Sequence, residues 1–257
     1  MLTQTKPDPN KVPGFWDIND QSNFILKGDN CKPYLRTENN NILILDDVLD
    51  NNSVNHLKNL FLNCGIEAPV SVSGLKDIES GIGSVRATGW SEIFAKQLSD
   101  IIIPFMNNIN ANDFTSTDWH QDGFHRNWEP VAVSPMLRFM RYEKNKKSRH
   151  NCHYDAGFIY PNSNYRTLKS VVIYLTSNDI GGATRFINDG QDNIKVFNRN
   201  FDDWLIDTPN DKVYLKVQPV AGNALIFDHR LCHDVEENLS DSDRIIIRTD
   251  IIYKAII

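Results

Sequence analysis

A chain of 257 residues with 40% hydrophobic content can bury one sizeable core, and a mean hydropathy of −0.42 argues against a chain embedded in lipid. A formal charge of −6 disfavours non-specific attraction to nucleic acid, and no nucleic-acid partner is expected. The four cysteines, Cys31, Cys64, Cys152 and Cys232, contain no CxxC pair and read as reduced thiols. No run is long and apolar enough for a membrane helix, and MLTQTKPDPNKVPGFW lacks the basic end and apolar centre of a signal peptide, so a cytoplasmic protein without membrane contact is expected.

In chain order, residues 1–40 are rich in Pro, Asn, Asp and Lys with scattered aromatics (Phe15, Trp16, Phe24, Tyr34) and read as an extended arm packed on a body. NILILDDV reads as a strand. It is followed by a helix with Asn/Ser cap candidates, with Val54, Leu57, Leu60 and Phe61 at helical spacing and Gly65 as its stop. A second helix is predicted over 91–106 from the period of Ile93, Phe94, Leu98, Ile101 and Ile102. KNKKSRH, from Lys144 to His150, has no interleaved aromatics and reads as a solvated loop.

From Pro135 onward the pattern becomes short apolar runs separated by turns: MLRFMRY, KSVVIYLT, ATRFI, KVYLKVQPV, NALIF and RIIIRTDIIY. These are predicted strands. Helices first and closely spaced strands afterwards point to an antiparallel sandwich or barrel braced by N-terminal helices. A single domain over 1–257 is expected, with the arm at 1–40, a helical support region at 41–134 and the strand-rich core at 135–257.

Within the core, NCHYDAGFIY (residues 151–160) places His153 and Asp155 two apart, so that at a strand end both face the same side and Tyr154 faces away. Gly157 permits a turn just after them. Two such ligands suit a first-row metal but do not define a site. The third can come from GNALIFDHRLCHDVEEN, where either His229 or His233 would complete a two-histidine, one-carboxylate triad of the kind that binds non-haem Fe(II) and leaves three positions open. In RIIIRTDIIY, alternation puts Arg244, Ile246, Arg248 and Asp250 on one face and Ile245, Ile247, Thr249 and Ile251 on the other. A cavity-facing arginine on a buried strand needs an anion, which a dicarboxylic acid chelating iron at its other end would supply.

Taken in order from Met136 to Tyr253, LRFMRY, HYD, VVIYLT, GGATRF, PVAGNALIF, CHDV and RIIIRTDIIY resemble the Fe(II)- and 2-oxoglutarate-dependent dioxygenases, in particular the prolyl 4-hydroxylase-like branch. The resemblance implies a mostly β fold with N-terminal helices, whose core is a double-stranded β-helix (jelly roll, cupin-like). It implies that His153, Asp155 and His233 bind iron, that Arg244 binds the distal carboxylate of 2-oxoglutarate with help from Tyr174, and that Tyr142 lines the same pocket. His229 then falls four residues before the family's distal histidine and outside the ligand set. The segment DVEENLSDSD departs from the family's glycine-containing turn, which leaves the shape of that rim open.

Cys152 and Cys232, each directly before a proposed ligand, face the other way in a strand and read as small core residues. Gly181 and Gly182 read as a β-turn rather than half of a phosphate loop, and His56, His120, His125 and His150 as structural or surface residues. Arg248 and Asp250 read first as an ion pair closing the barrel end and second as substrate contacts. Arg86 is a candidate for gripping a substrate carboxylate.

The implied activity is hydroxylation of an unactivated C–H bond of proline or another amino acid, free or in a peptide, coupled to release of succinate and CO2. The cofactors implied are Fe(II), 2-oxoglutarate and O2, with ascorbate as reductant. The carboxylate of Asp155 favours hydroxylation over halogenation, while desaturation and ring formation stay open. A nucleic-acid demethylase of the same superfamily and a non-catalytic jelly-roll binding protein are the competing readings. The oligomeric state is not legible.

Overall fold

The computed structural model describes residues 6, 8, 15–17, 33–39, 41–65, 68–70, 83–110, 126–146, 148–160, 164–191 and 208–256. Phe24, Cys31, His120 and His125 lie outside them. The elements run β1 (Phe15–Asp17), β2 (Tyr34–Asn39), β3 (Ile42–Asp46), α1 (Asn51–Leu62), β4 (Ala68–Val70), β5 (Ser84–Trp90), α2 (Glu92–Ile102), β6 (Asn127–Val133) and β7 (Met136–Tyr142). They continue with β8 (His150–His153), β9 (Tyr165–Tyr174), β10 (Thr184–Ile187), β11 (Val213–Val217), β12 (Ala224–Asp228), β13 (His233–Val235) and β14 (Arg244–Ile256).

Two sheets face each other. The larger has ten strands, ordered β1-β5-β7-β14-β9-β12-β3-β2, with β4 added to β5 and β6 to β14. The smaller has four, β11-β10-β13-β8. This is the mostly β, antiparallel jelly-roll core that the resemblance implies. Helices α1 and α2 cover the outer face of the large sheet: Val54, Leu57, Phe61, Phe94, Leu98 and Ile102 share one cluster with Ile245, Ile247 and Ile251 of β14. Its inner face packs on the small sheet through Met140, Val172, Leu225 and Ile246 against Phe186, Val217 and Val235. Covered on both faces, β3, β9 and β12 are buried almost throughout. That is why ILILD and ALIFD are nearly unbroken apolar runs and not alternating ones.

Several expectations need adjustment. Helix α1 is capped by Asp50, whose Oδ1 accepts the Ser53 N–H at 2.7 Å, not by the Asn or Ser within it. The second helix begins as expected, with the Ser91 hydroxyl accepting the Phe94 N–H at 3.1 Å, but it ends at Ile102 and is followed by a single 3-10 turn over Ile103–Phe105. Pro104 lacks the N–H that a longer helix would use. Ile93 faces solvent, at 58% exposure. The stretch between 41 and 134 also donates β3, β4, β5 and β6 to the large sheet. NWEPVAV was not legible as a strand because Pro130 interrupts it. The proline sits beside a register shift on β14, between Ile252 and Tyr253, where a missing donor is tolerated.

Candidate metal and anion site

The small sheet brings two histidines into register. His153 at the end of β8 pairs directly with His233 at the start of β13. Asp155 follows two residues after His153 and turns its carboxylate to the same side, 3.8 Å from His153 Nε2 and 3.7 Å from His233 Nε2. Ligand atoms of the three residues lie within 4.8 Å of one another, the one such group of three among the described residues. Each imidazole has its other nitrogen committed: Nδ1–H of His153 donates to the Asn151 carbonyl at 2.7 Å and that of His233 to the Leu231 carbonyl at 2.9 Å. Those bonds fix the tautomer and leave both Nε2 lone pairs aimed at the shared point.

Electrostatics prepare the same point. Burial, and then the neighbouring His233, push His153 down to about 4, and burial likewise lowers His233, so both rings are neutral donors near pH 7. Burial alone would raise Asp155, but Arg248, His233 and His153 outweigh it and hold the carboxylate well below its ordinary range. Two neutral imidazoles and one carboxylate, all on one side of an open cavity, fit a first-row divalent ion such as Fe(II).

His229 is elsewhere. It is buried with Nε2 3.1 Å from Asp250 Oδ1, outside the ligand cluster. No turn forms at Gly157, and its φ is not left-handed. A side chain there would press at 3.0 Å on the Thr167 carbonyl and at 3.3 Å on the His229 ring, so the glycine serves close approach.

The large sheet supplies the opposite wall of a cavity of about 240 Å³. Arg244 is 1% exposed; its Nη2 donates to Thr184 Oγ1 at 3.1 Å, while Nε and Nη1 have no hydrogen-bond partner among the described residues. Tyr142 and Tyr174 flank it, with the guanidinium carbon 4.8 and 5.7 Å from the two ring centres, and the Tyr174 hydroxyl shares Thr184 at 3.2 Å. A buried guanidinium with two free donors and no carboxylate is a socket for an anion. Gly182 lets it lie there, since a Cβ would sit 3.3 Å from Arg244 Cδ. Gly181 and Gly182 are both left-handed, and at Gly181 a Cβ would in addition strike the Glu237 carbonyl.

Arg248, four residues along, holds the ligand carboxylate itself. Its Nη2 lies 2.9 Å from Asp155 Oδ1 and 3.2 Å from Asp250 Oδ1. Ser170 adds a 2.5 Å hydrogen bond to Asp155 Oδ2. The expected Arg248–Asp250 pair is therefore present but extended to the metal side, and Asp250 also receives Arg138 at 3.3 Å. Arg86 reaches the same cavity from β5.

Four contributors were not visible in the sequence. Arg138, Ser170 and Thr184 are ordinary strand residues until register places them, and His150 is buried edge-on to His153 with ring centres 4.5 Å apart, not a surface residue. The rim left open by DVEENLSDSD is closed by Asn238, fully buried, whose Nδ2 donates to the carbonyls of Tyr142 and Ser242 at 3.0 Å each. Cys152 and Cys232 do face away. They are buried with Ile187 and partly buried Val213, their sulfurs 2.8 Å apart.

Comparison with known proteins agrees with this geometry. Residues 137–249 match the 2OG-Fe(II) oxygenase superfamily, and no curated protein matches the sequence. Among solved structures, the chain is similar to EvdO2 from Micromonospora carbonacea var. aurantiaca (13% identity, 88% of this chain and 95% of that one, TM-score 0.53). Similarity also extends to a Pseudomonas putida prolyl-4-hydroxylase (14%, 82% and 91%, 0.46). A third match is a prolyl hydroxylase from Trichoplax adhaerens in complex with a hypoxia inducible factor peptide fragment (16%, 82% and 83%, 0.49). Residues 137–249 are thus similar to the 2OG-Fe(II) oxygenase superfamily, whose enzymes use Fe(II), 2-oxoglutarate and O2.

Proposed function

We propose that the protein is a hydroxylase acting on an unactivated C–H bond of proline or another amino acid, free or in a peptide, with release of succinate and CO2, and that 1–257 works as a single oxygenase domain. The observation that carries this reading is the pairing of two half-sites across one cavity: a buried His-Asp-His cluster with both Nε2 atoms turned to a shared point, and a fully buried arginine with no counter-ion among the described residues. A keto-diacid is a molecule with one end for each.

His153, Asp155 and His233 would hold Fe(II), which would supply the site at which 2-oxoglutarate and O2 react. When bound, these cofactors supply an oxidant strong enough for a C–H bond through oxidative decarboxylation of the keto acid, with ascorbate as the reductant that keeps iron ferrous. The protein's part is placement. Arg244 takes the distal carboxylate in a two-point contact, with Tyr142 and Tyr174 closing its sides and Thr184 fixing its plane. Arg248 and Ser170 orient Asp155 so that its ligand oxygen does not swing away. The apolar walls contributed by Met140, Val172 and Ile246 keep bulk water from the reacting carbon.

The test has two parts. Anaerobic addition of Fe(II) and then 2-oxoglutarate should produce a weak visible charge-transfer band, and amino acids and peptides should be screened for stimulated succinate release. A chain that forms no such band at millimolar 2-oxoglutarate is not an oxygenase of this kind.

A further inference from the structure

The cavity holds one more arginine than its own carboxylates and the proposed 2-oxoglutarate would match. Four arginines line it, Arg86, Arg138, Arg244 and Arg248. Arg138 and Arg248 are matched by Asp250 and Asp155. Arg244 has the distal carboxylate of 2-oxoglutarate. Arg86 is left. Among the described residues it makes no ion pair and no hydrogen bond, its Nε is buried without a partner, and Asp155, the carboxylate whose charge it feels, is already held by Arg248. Desolvation lowers it to about 10, so it stays cationic near neutral pH in a place that disfavours cations. An unpaired guanidinium in such a site is costly unless something arrives to match it.

Its position separates it from the co-substrate. Register sets Arg86 of β5 beside Met140 of β7, Met140 beside Ile246 of β14, and Ile246 beside Tyr174 of β9. Arg86 is thus two strands over from β14, about 10 Å at normal strand spacing. Arg244 and Arg248 both lie on β14 itself. A keto-diacid held by Arg244 would cross from β14 to the His-Asp-His cluster on the small sheet, and Arg86 stands two strands to one side of that starting point.

We propose that the organic substrate carries a free carboxylate and that Arg86 binds it, which within the reading above makes the substrate a free amino acid or the C-terminal residue of a peptide. This rests on the oxygenase reading. An internal proline, or any internal residue with a neutral side chain, brings two amides and no charge, and would bury Arg86 without an anion. Arg138 and Arg248, already held by carboxylates, are not the substrate's partners.

The experiment compares free amino acids and short peptides with their C-terminal carboxamides, measuring succinate release above the substrate-free rate. Stimulation should be confined to the free acids. For the best acid, Arg86→Gln should raise its KM 10- to 100-fold while the KM for 2-oxoglutarate moves less than twofold, and Arg86→Lys, which keeps the charge but loses the fork, should fall between. A second readout needs no turnover: in metal-free Arg244→Met protein, sulfate should give a saturable rise in Tm beyond its general salting effect, and Arg86→Gln should remove it. Equal stimulation by carboxamides, a raised 2-oxoglutarate KM in Arg86→Gln, or sulfate binding indifferent to Arg86 would each overturn the assignment. If no compound stimulates, the sulfate titration decides alone. Absence of the charge-transfer band, by contrast, removes the oxygenase reading and leaves the anion measurement standing.

Discussion

The two walls of the cavity divide the chemistry between them. The four-stranded sheet presents two neutral imidazoles at the ends of short strands, with one carboxylate just beyond. The ten-stranded sheet presents Arg244, Tyr142 and Tyr174 from strand ends and Arg138 and Arg248 from within strands, on a sheet whose central strands are buried on both faces. Metal donors need a free lone pair and a little room, which strand ends provide. Anion receptors need dry, rigid surroundings so that the guanidinium has no competing water, which a doubly covered sheet provides. Arg248 and Ser170 are where the walls touch, since both reach from the large sheet to Asp155.

This division can be broken from either side. Removing a metal donor should have the largest effect: His153→Ala or Asp155→Ala should abolish turnover and the charge-transfer band, and full activity in Asp155→Ala would eliminate the triad. Next comes the joint. Arg248→Leu leaves Asp155 and Asp250 buried with one fewer cation, which should destabilise the metal-free protein by about 3–5 kcal/mol in urea unfolding. It should also weaken Fe(II) binding about 10- to 100-fold. On the receptor wall, Arg244→Ala should leave metal affinity near the wild-type value and raise the 2-oxoglutarate requirement about 10- to 100-fold, as loss of a charged two-point contact implies. Thr184→Val is the mildest change, removing one hydrogen-bond partner from Arg244 and one from Tyr174, and should cost about 1 kcal/mol of stability.

Acid should act on both walls together in the metal-free protein. His150 and His153 are lowered from 6.5 in the folded state, so below about pH 6.5 the unfolded chain binds more protons and stability declines as pH falls. Asp155 and Asp250 are held below 3.8, so the stability they contribute is present above about pH 4 and is lost as pH falls further. Both contributions have the same sign. Urea midpoints should therefore fall continuously from pH 7 downward, and a midpoint that rises between pH 6.5 and 5 would contradict the buried, neutral histidines.

The sequence made the ligands legible because two-residue spacing and strand alternation are local properties: HYD and RIIIRTDIIY disclose their faces without any knowledge of neighbours. What it hid depends on register between strands. Nothing in RFMRY marks Arg138 as facing Asp250, and nothing in KSVVIY marks Ser170 as facing Asp155, until β7, β14 and β9 are aligned. His229 and His233 share a face in a straight strand, but β12 ends at Asp228 and β13 begins at His233, so the chain changes sheets between them. That crossing, more than spacing, separates the ligand from its rival. His150 was missed because a basic run reads as solvated, although its last residue already begins β8.

One strand, β14, serves as a partition: its odd-numbered isoleucines 245, 247 and 251 fill the layer under the helices, while 244, 246 and 248 look into the cavity. Loss or gain of a single residue inside it would send guanidinium groups into hydrocarbon and isoleucines onto the ligands, so folding and chemistry would be lost at one stroke. Between Arg244 and Ile251 its length is consequently closed to insertion and deletion, whereas past Ile251 register shifts toward β9 and β6 show that the strand tolerates an irregularity there.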